Sequence, residues 1–232
     1  MILFYSNLIN GNTAVLEAEE FHHCCKVLRH QEGDTIHISD GKGKQAIAQI
    51  SKIRKREAEL IVESISEAKP KTSITTIAVA PPKNRARWEW LIEKTVEIGV
   101  DRLIPLVTAH TERPKINVER SEKILRSAAM QSLRPFHPSL SPLTNFKALM
   151  AELHVDTDCY LAHYSDSNPF LTKLERKNPN SIILIGPEGD FTKEEMEIAI
   201  SKGFVECNIS SHRLRTETAA MVSMSMIKSM GY

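Results

Sequence analysis

The sequence predicts an α/β protein: a small β-barrel followed by an α/β domain with a mainly parallel sheet. Three observations predict it. Residues 1–71 hold several short strand candidates around one helix, the pattern of a small barrel. From residue 72 apolar strands alternate with helical stretches, which implies a parallel sheet covered on both faces. Two late turns, at 186–192 and 210–219, each lie between a strand and a helix, where open parallel sheets bind ligands.

A chain of 232 residues suits such a pair of domains, and Lys69-Pro70-Lys71 is the natural linker, giving 1–71 and 72–232. Hydrophobic residues are 41% and charged ones 25%, so a sizeable core needs no covalent staple. The net charge is only +1, so nucleic-acid contact must come from a local patch. Cys24, Cys25, Cys159 and Cys207 lack CxxC spacing and suit reduced thiols. The first residues have no basic stretch leading into a long apolar run, and no segment is long and apolar enough for a membrane span. A cytoplasmic protein without membrane contact is the expectation.

Taken in order, 2–5 and 13–16 are strand candidates. Residues 17–29 form a helix with Phe21, Cys25 and Leu28 facing the core at i, i+4, i+7. Strand 35–39 ends in Asp40-Gly41-Lys42-Gly43, a hairpin signal, and strands 44–53 and 58–65 follow. In the second domain, strand 74–80 stops at Pro81-Pro82. Helix 86–98 follows, with Trp88, Leu91, Ile92 and Thr95 on one face and Gly99 as its cap. Strand 102–108, helix 118–133, a strand near 140–143, strand 158–163 and a helix near 169–176 come next. Strand 182–185 leads to a helix over 193–202, with Thr192 and Glu195 as a capping box. Strand 204–209 precedes the last helix, 217–230. That helix is apolar on most sides, through Ala219, Val222, Met226, Ile227 and Met230 on one stripe and Ala220, Met221 and Met224 on another. It is either sunk in the monomer's core or shared between the core and a second subunit.

Gly186-Pro187-Glu188-Gly189 is neither a Walker loop nor GxGxxG, so a dinucleotide is disfavoured. A backbone turn of this kind approaches a ligand closely and offers free amides at the helix start. By itself it is more often a plain connector. Arg213, Arg215, Thr216, Glu217 and Thr218 in the second turn exceed what a threonine helix cap requires. His22-His23-Cys24-Cys25 lacks the spaced pairs of a zinc site, so no metal is expected. No Gly-x-Ser-x-Gly elbow supports triad hydrolysis. Residues 22–56 carry eight basic side chains against three acidic ones, a local surplus of +5 that suits phosphate contacts.

These stretches together resemble one family, the RsmE-type 16S rRNA (uracil-N3) methyltransferases of the SPOUT superfamily. Leu184-Ile185-Gly186-Pro187-Glu188-Gly189 is similar to the family's IGPEGG signature, and Leu214-Arg215-Thr216-Glu217-Thr218-Ala219 to its LRTETA signature. Glu93-Lys94, Glu97 and Gly99-Val100 resemble its EK-x-x-E-x-G-V helix; Gln131-Ser132-Leu133-Arg134 resembles its QS-x-R segment. His23, Val27-Leu28-Arg29 and Gly33-Asp34 match its N-terminal pattern. Two departures are Ile209-Ser210-Ser211 in place of LGP or LGx, and Asp190 in place of the second glycine after GPEG.

The resemblance implies an N-terminal PUA-like barrel that holds RNA and a C-terminal SPOUT domain closed by a trefoil knot, against the usual avoidance of knots. It implies S-adenosyl-L-methionine as cofactor and a homodimer through the knot and C-terminal helix. The substrate it implies is 16S rRNA, in free or assembled small subunits, methylated at N3 of a uridine. The expected cofactor residues are Leu161, Ala162, Leu184, Ile185, Gly186, Pro187, Glu188, Gly189, Ile209, Ser210, Leu214, Arg215, Thr218 and Ala219. Arg215 is the expected stabiliser of the developing anion, and Glu217 would orient Arg215 or act as base. Lys26, Arg29, Arg54, Arg85 and Arg134 would meet phosphates. The rival readings are a non-catalytic rRNA-binding assembly factor and an unknotted α/β enzyme acting on a nucleotide.

Overall fold

The computed structural model of the protein describes residues 2–6, 9–112, 114–152 and 156–231. Two compact units emerge: Met1–Pro70 with Ala129–His137, and Lys71–Ala128 with Pro138–Tyr232.

The first unit is a curled five-stranded sheet in the order β1-β3-β4-β5-β2. Its strands are β1 (Leu3–Tyr5), β2 (Thr13–Glu17), β3 (Thr35–Ser39), β4 (Lys44–Ile53) and β5 (Glu57–Glu67). β1 runs parallel to β3, and every other pair is antiparallel. Register shifts between Ile47 and Ala48 and between Ile50 and Lys52 bend β4 against β5, as bulges do. The sheet curls over Phe4, Leu16, Ile36, Ile38, Ile50 and Leu60, all nearly or fully buried. In the 40–43 hairpin, a Cβ on Gly43 would stand 2.8 Å from the Phe136 ring, so glycine there lets the excursion 129–137 approach. Gly43 N then donates to Pro135 O at 2.9 Å, and His137 N to Gly41 O at 2.8 Å.

The helix expected over 17–29 is α1 (Ala18–Phe21) followed by a wider π-turn, His22–Val27. Leu28 N donates to His23 O, five residues back rather than four. The extra residue per turn rotates the following side chains. Phe21 is buried as expected, with Cys24 beside it and Cys25 half-buried against the core, while Leu28 is exposed, which corrects its expected core position.

The second unit carries the parallel sheet, ordered β12-β10-β11-β6-β7-β8, with β9 paired to β7. Its strands are β6 (Thr75–Val79), β7 (Arg102–Val107), β8 (Ser139–Leu140), β9 (Thr144–Asn145), β10 (Thr157–Ala162), β11 (Asn180–Ile185) and β12 (Val205–Cys207). Every residue of β6 and five of six in β11 are buried, as a sheet covered on both faces requires. The helices are α2 (Arg85–Ile98), α3 (Val118–Gln131), α4 (Phe146–Ala151), α5 (Lys193–Ser201) and α6 (Thr216–Ser229). Asn84 caps α2 through its side chain, and Gly99, at φ +121°, ends it. The Thr192–Glu195 capping box of α5 is formed in full.

Three expectations change. The strand near 140–143 is two short pairings, β8 and β9, with Pro142 between them. The stretch after them folds into α4, an unforeseen helix. The helix near 169–176 is a single 3₁₀ turn, Leu171–Lys173, because the backbone before it is occupied elsewhere. Asn208 N donates to Pro169 O and Leu171 N to Asn208 O, both at 2.8 Å.

Candidate active site

All strands of the second sheet run the same way, so their carboxyl ends gather at one edge. β10 lies between β12 and β11. The turn after β11 and the turn after β12 therefore flank the exit of β10. Together they enclose a cavity of about 630 Å³.

The first turn runs from Gly186 to Thr192 and is held at many points. Asp190 N donates to Pro187 O at 2.9 Å, closing a tight turn. The His110 Nδ1 proton is shared between Gly189 O and Asp190 O, each 3.0 Å away. Phe191 is buried at 4% exposure, beside Phe146. Glu195 accepts from Thr192 N and, through its other oxygen, from Ala109 N at 2.9 Å.

The second turn starts at buried Asn208. Its side chain accepts from Ser165 N and donates to Ser165 O and Asn168 O at 2.7–3.1 Å. From Ile209 to Leu214 the chain is half-buried or exposed, and the bond from His212 N to Ser210 Oγ is local. The two turns meet at one bond: Thr216 Oγ1 donates to Gly186 O at 3.2 Å. The threonine cap of the plainer reading of this turn is absent. Arg215 occupies the N-cap of α6 without a side-chain bond to the helix, and Thr216 ties the turns together.

Of the expected cofactor residues, Ala162, Ile185, Gly186, Pro187, Glu188, Gly189, Ile209, Ser210, Leu214, Arg215 and Ala219 line the cavity. Leu161 and Leu184 are fully buried core residues behind it, and Thr218 does not line it. Arg213 and Arg215 both line it, and neither guanidinium has an ion-pair partner among the described residues. Glu217 does not line it. It is 8% exposed, its Oε1 faces Arg87 Nε at 3.5 Å, and its Oε2 has no hydrogen-bond partner among the described residues. Its carboxylate thus faces α2 rather than Arg215.

Asp190, His212, Arg213 and Thr216, from the two turns read as the pocket walls, also line the cavity, as do His163, Tyr164 and Cys207, which were not expected there. His163 and Tyr164 carried one readable signal, since they directly follow a strand at the ligand-binding end of the sheet. Burial pushes the Cys207 thiol up to about 12, so it is no thiolate nucleophile near neutrality.

The expected phosphate ligands have diverse surroundings. In the first unit, Lys26 lies over the Phe21 ring at 5.6 Å, and Arg29 holds a left-handed φ of +61°. Arg54 is bonded to Glu59 at 2.6 Å, and Arg134 is 9% exposed. In the second unit, Arg85 is bonded to Glu89 at 2.7 Å.

Comparison with known proteins gives this geometry a family. The model of an RNA methyltransferase domain matches residues 69–228, and that of an RNA methyltransferase PUA domain matches residues 16–63. The ribosomal RNA small subunit methyltransferase E of Synechocystis sp. is 32% identical over 224 residues, covering 94% of this chain and 73% of its own. A crystal structure described as a probable rRNA-methyltransferase from Porphyromonas gingivalis superposes with a TM-score of 0.92 at 33% identity, covering 99% and 98% of the two chains. A Legionella pneumophila methyltransferase solved with bound S-adenosylmethionine superposes at 0.87 with 25% identity, covering 99% and 97%. No described helix is long and apolar enough to cross a membrane. A curled barrel sheet, a parallel sheet with two turns at its carboxyl edge, and matches over nearly the whole length converge: the chain belongs to the RNA methyltransferase family of the ribosomal RNA small subunit methyltransferases E.

Proposed function

We propose that this protein transfers the methyl group of S-adenosylmethionine to N3 of a uridine in 16S rRNA of the small ribosomal subunit. One observation carries the reading: the Thr216–Gly186 bond draws the two turns together around a cavity rimmed by an uncommitted Arg215. At about 630 Å³ the cavity lies within the usual range for small ligands, roughly 300–1,000 Å³. Ile185, Ile209, Leu214 and Ala219 offer apolar surface, and the backbone of 186–190 offers polar groups, a mixture that fits an adenosyl group with a thioether arm. When bound, the cofactor supplies an electrophilic methyl.

Uracil N3 carries a proton and becomes nucleophilic as that proton passes to solvent water and charge spreads to the flanking carbonyl oxygens. The Arg215 guanidinium, without an ion-pair partner among the described residues, is assigned to stabilise that charge. Glu217 is assigned as a positioning residue. With Arg87 it anchors the first turn of α6, from which Arg215 projects. Backbone atoms of both turns hold the cofactor in line with the base.

Residues 1–71 are proposed as the RNA-holding PUA-like domain and 72–232 as the SPOUT domain. Lys26, Arg29, Arg54, Arg85 and Arg134 are assigned to phosphates. A trefoil knot is proposed at the C-terminal end, supported by the way Asn208 is bonded on both sides to the 165–171 segment. A homodimer through α6 is proposed because Met221, Val222 and Met226 stay half-exposed on a helix whose Ala220, Met224 and Ile227 are fully buried. The setting is the cytoplasm, where its rRNA substrate is made.

The test is methyl transfer to purified small subunits that lack the modification, with mapping of the product. A 3-methyluridine in 16S rRNA is the expected result. Tight cofactor binding without transfer to any rRNA would overturn the substrate, and rRNA binding without cofactor binding would favour an assembly factor.

A further inference from the structure

Asp190 holds a left-handed backbone, φ +61°, a conformation that glycine adopts at least cost. Its carboxylate is committed twice: Oδ1 accepts from Phe191 N at 2.8 Å, and Oδ2 stands 2.9 Å from His163 Nδ1. Both side chains line the cavity, 47% and 25% exposed. An ionised carboxylate offers only lone pairs, so the bond requires the imidazole proton on Nδ1. A neutral imidazole in that tautomer presents Nε2 as an acceptor. Among the described residues Nε2 has no partner. A fixed acceptor at the wall of a ligand cavity calls for a donor from the ligand. The adenine ring and thioether carbons suit the apolar lining, and the cofactor's donors are the adenine amino group, the ribose hydroxyls and the ammonium of the amino-acid arm.

We propose that Asp190 and His163 form a recognition pair for a hydrogen-bond donor of the nucleoside cofactor, with His163 Nε2 as the contacting atom and Asp190 as its positioning residue. This deepens, and rests on, the cofactor reading above. The pair uses a left-handed backbone position to set a tautomer. Asp190 thus acts through His163 rather than on the ligand.

Calorimetry on the whole chain tests it, with S-adenosylhomocysteine and 5′-methylthioadenosine as probes; the second lacks the amino-acid arm. Asp190→Asn keeps the shape and the bond from Phe191 N. Its amide N–H then points at Nδ1 and forces Nε2 to become a donor. Affinity should fall about tenfold, the scale of one hydrogen bond, with the thermal midpoint held. Asp190→Gly, relieved of the left-handed strain, should keep or raise the midpoint and still bind more weakly. His163→Gln, which restores an acceptor near Nε2, should recover part of what His163→Ala loses. Weakening toward both probes assigns the adenosine part, through its amino group or ribose hydroxyls; weakening toward S-adenosylhomocysteine alone assigns the ammonium. Wild-type and Asp190→Asn affinities within about twofold for both probes overturn the pair while leaving the cofactor reading intact. Failure of the wild type to bind either probe overturns both.

Discussion

The two turns that wall the cavity are built on opposite plans. The turn from Gly186 to Thr192 is bonded from three sides: His110 from one neighbouring loop, His163 from the segment just after β10, and below it the capping box of α5, itself tied to Ala109 N. The turn from Ile209 to Arg215 is fixed at its ends, by Asn208 and by Thr216, and carries its arginines outward between them. A rigid wall suits the part of the site that must match a cofactor each time. A wall tied only at its ends suits the part that must close on a nucleotide taken from folded RNA. Preorganisation is spent where geometry is constant, and adaptability is kept where the substrate arrives.

The contrast predicts where substitutions act. The largest effect belongs to the loosely held wall. Arg215→Ala should lower the transfer rate by about 10²–10³, the scale of one lost stabilising donor, with cofactor affinity changed little. Single-turnover transfer and calorimetry separate the two, and a wild-type rate would remove Arg215 from the chemistry. Glu217 sharpens the point. Glu217→Gln keeps the side chain's shape and a polar contact against Arg87 in place of the ion pair and should retain most activity, whereas Glu217→Ala should lose about tenfold through misplacement of the α6 start. A Gln variant as dead as the Ala variant would instead make Glu217 the proton acceptor. The smallest effect belongs to the seam between the walls. Thr216→Val removes the bond to Gly186 O and should cost about 1 kcal/mol in unfolding free energy, read by denaturant titration. No change in midpoint would mean that the turns stay together without it.

Much of this was legible in the residues because local and global signals agree along most of the chain. Strand 35–39 and the alternation of buried strands with capped helices follow from turn chemistry and apolar patterning, and both stand in the structure. The misreadings have physical causes. One extra residue per turn in His22–Val27 is invisible to a 3.6-residue period, so Leu28 stands exposed where a core position was expected. Asn208 drew the 169–171 backbone into long-range bonds, leaving one 3₁₀ turn where propensity suggested a helix.

The site was legible as two turns and illegible in its pairings. Nothing in the spacing said that Glu217 would face Arg87, since their partnership depends on how α2 packs on α6. The His163–Asp190 pair joins residues 27 apart in sequence, brought together by the order of β10 and β11. A threonine cap was the plainer reading of the second turn, but Thr216 is not the capping residue. Its bond to Gly186 is a tertiary one.

Cofactor binding by the wild type and by Gly186→Val tests the central claim most directly. A Cβ at Gly186 would stand 3.2 Å from Asp190 Oδ1 and from the Phe191 ring, and valine adds two further carbons to that crowded turn. Titration with S-adenosylmethionine should give saturable binding by the wild type. The variant, confirmed as folded by its circular dichroism, should bind at least about tenfold more weakly. No binding by the wild type, or equal binding by the two proteins, would contradict a cofactor held between the turns.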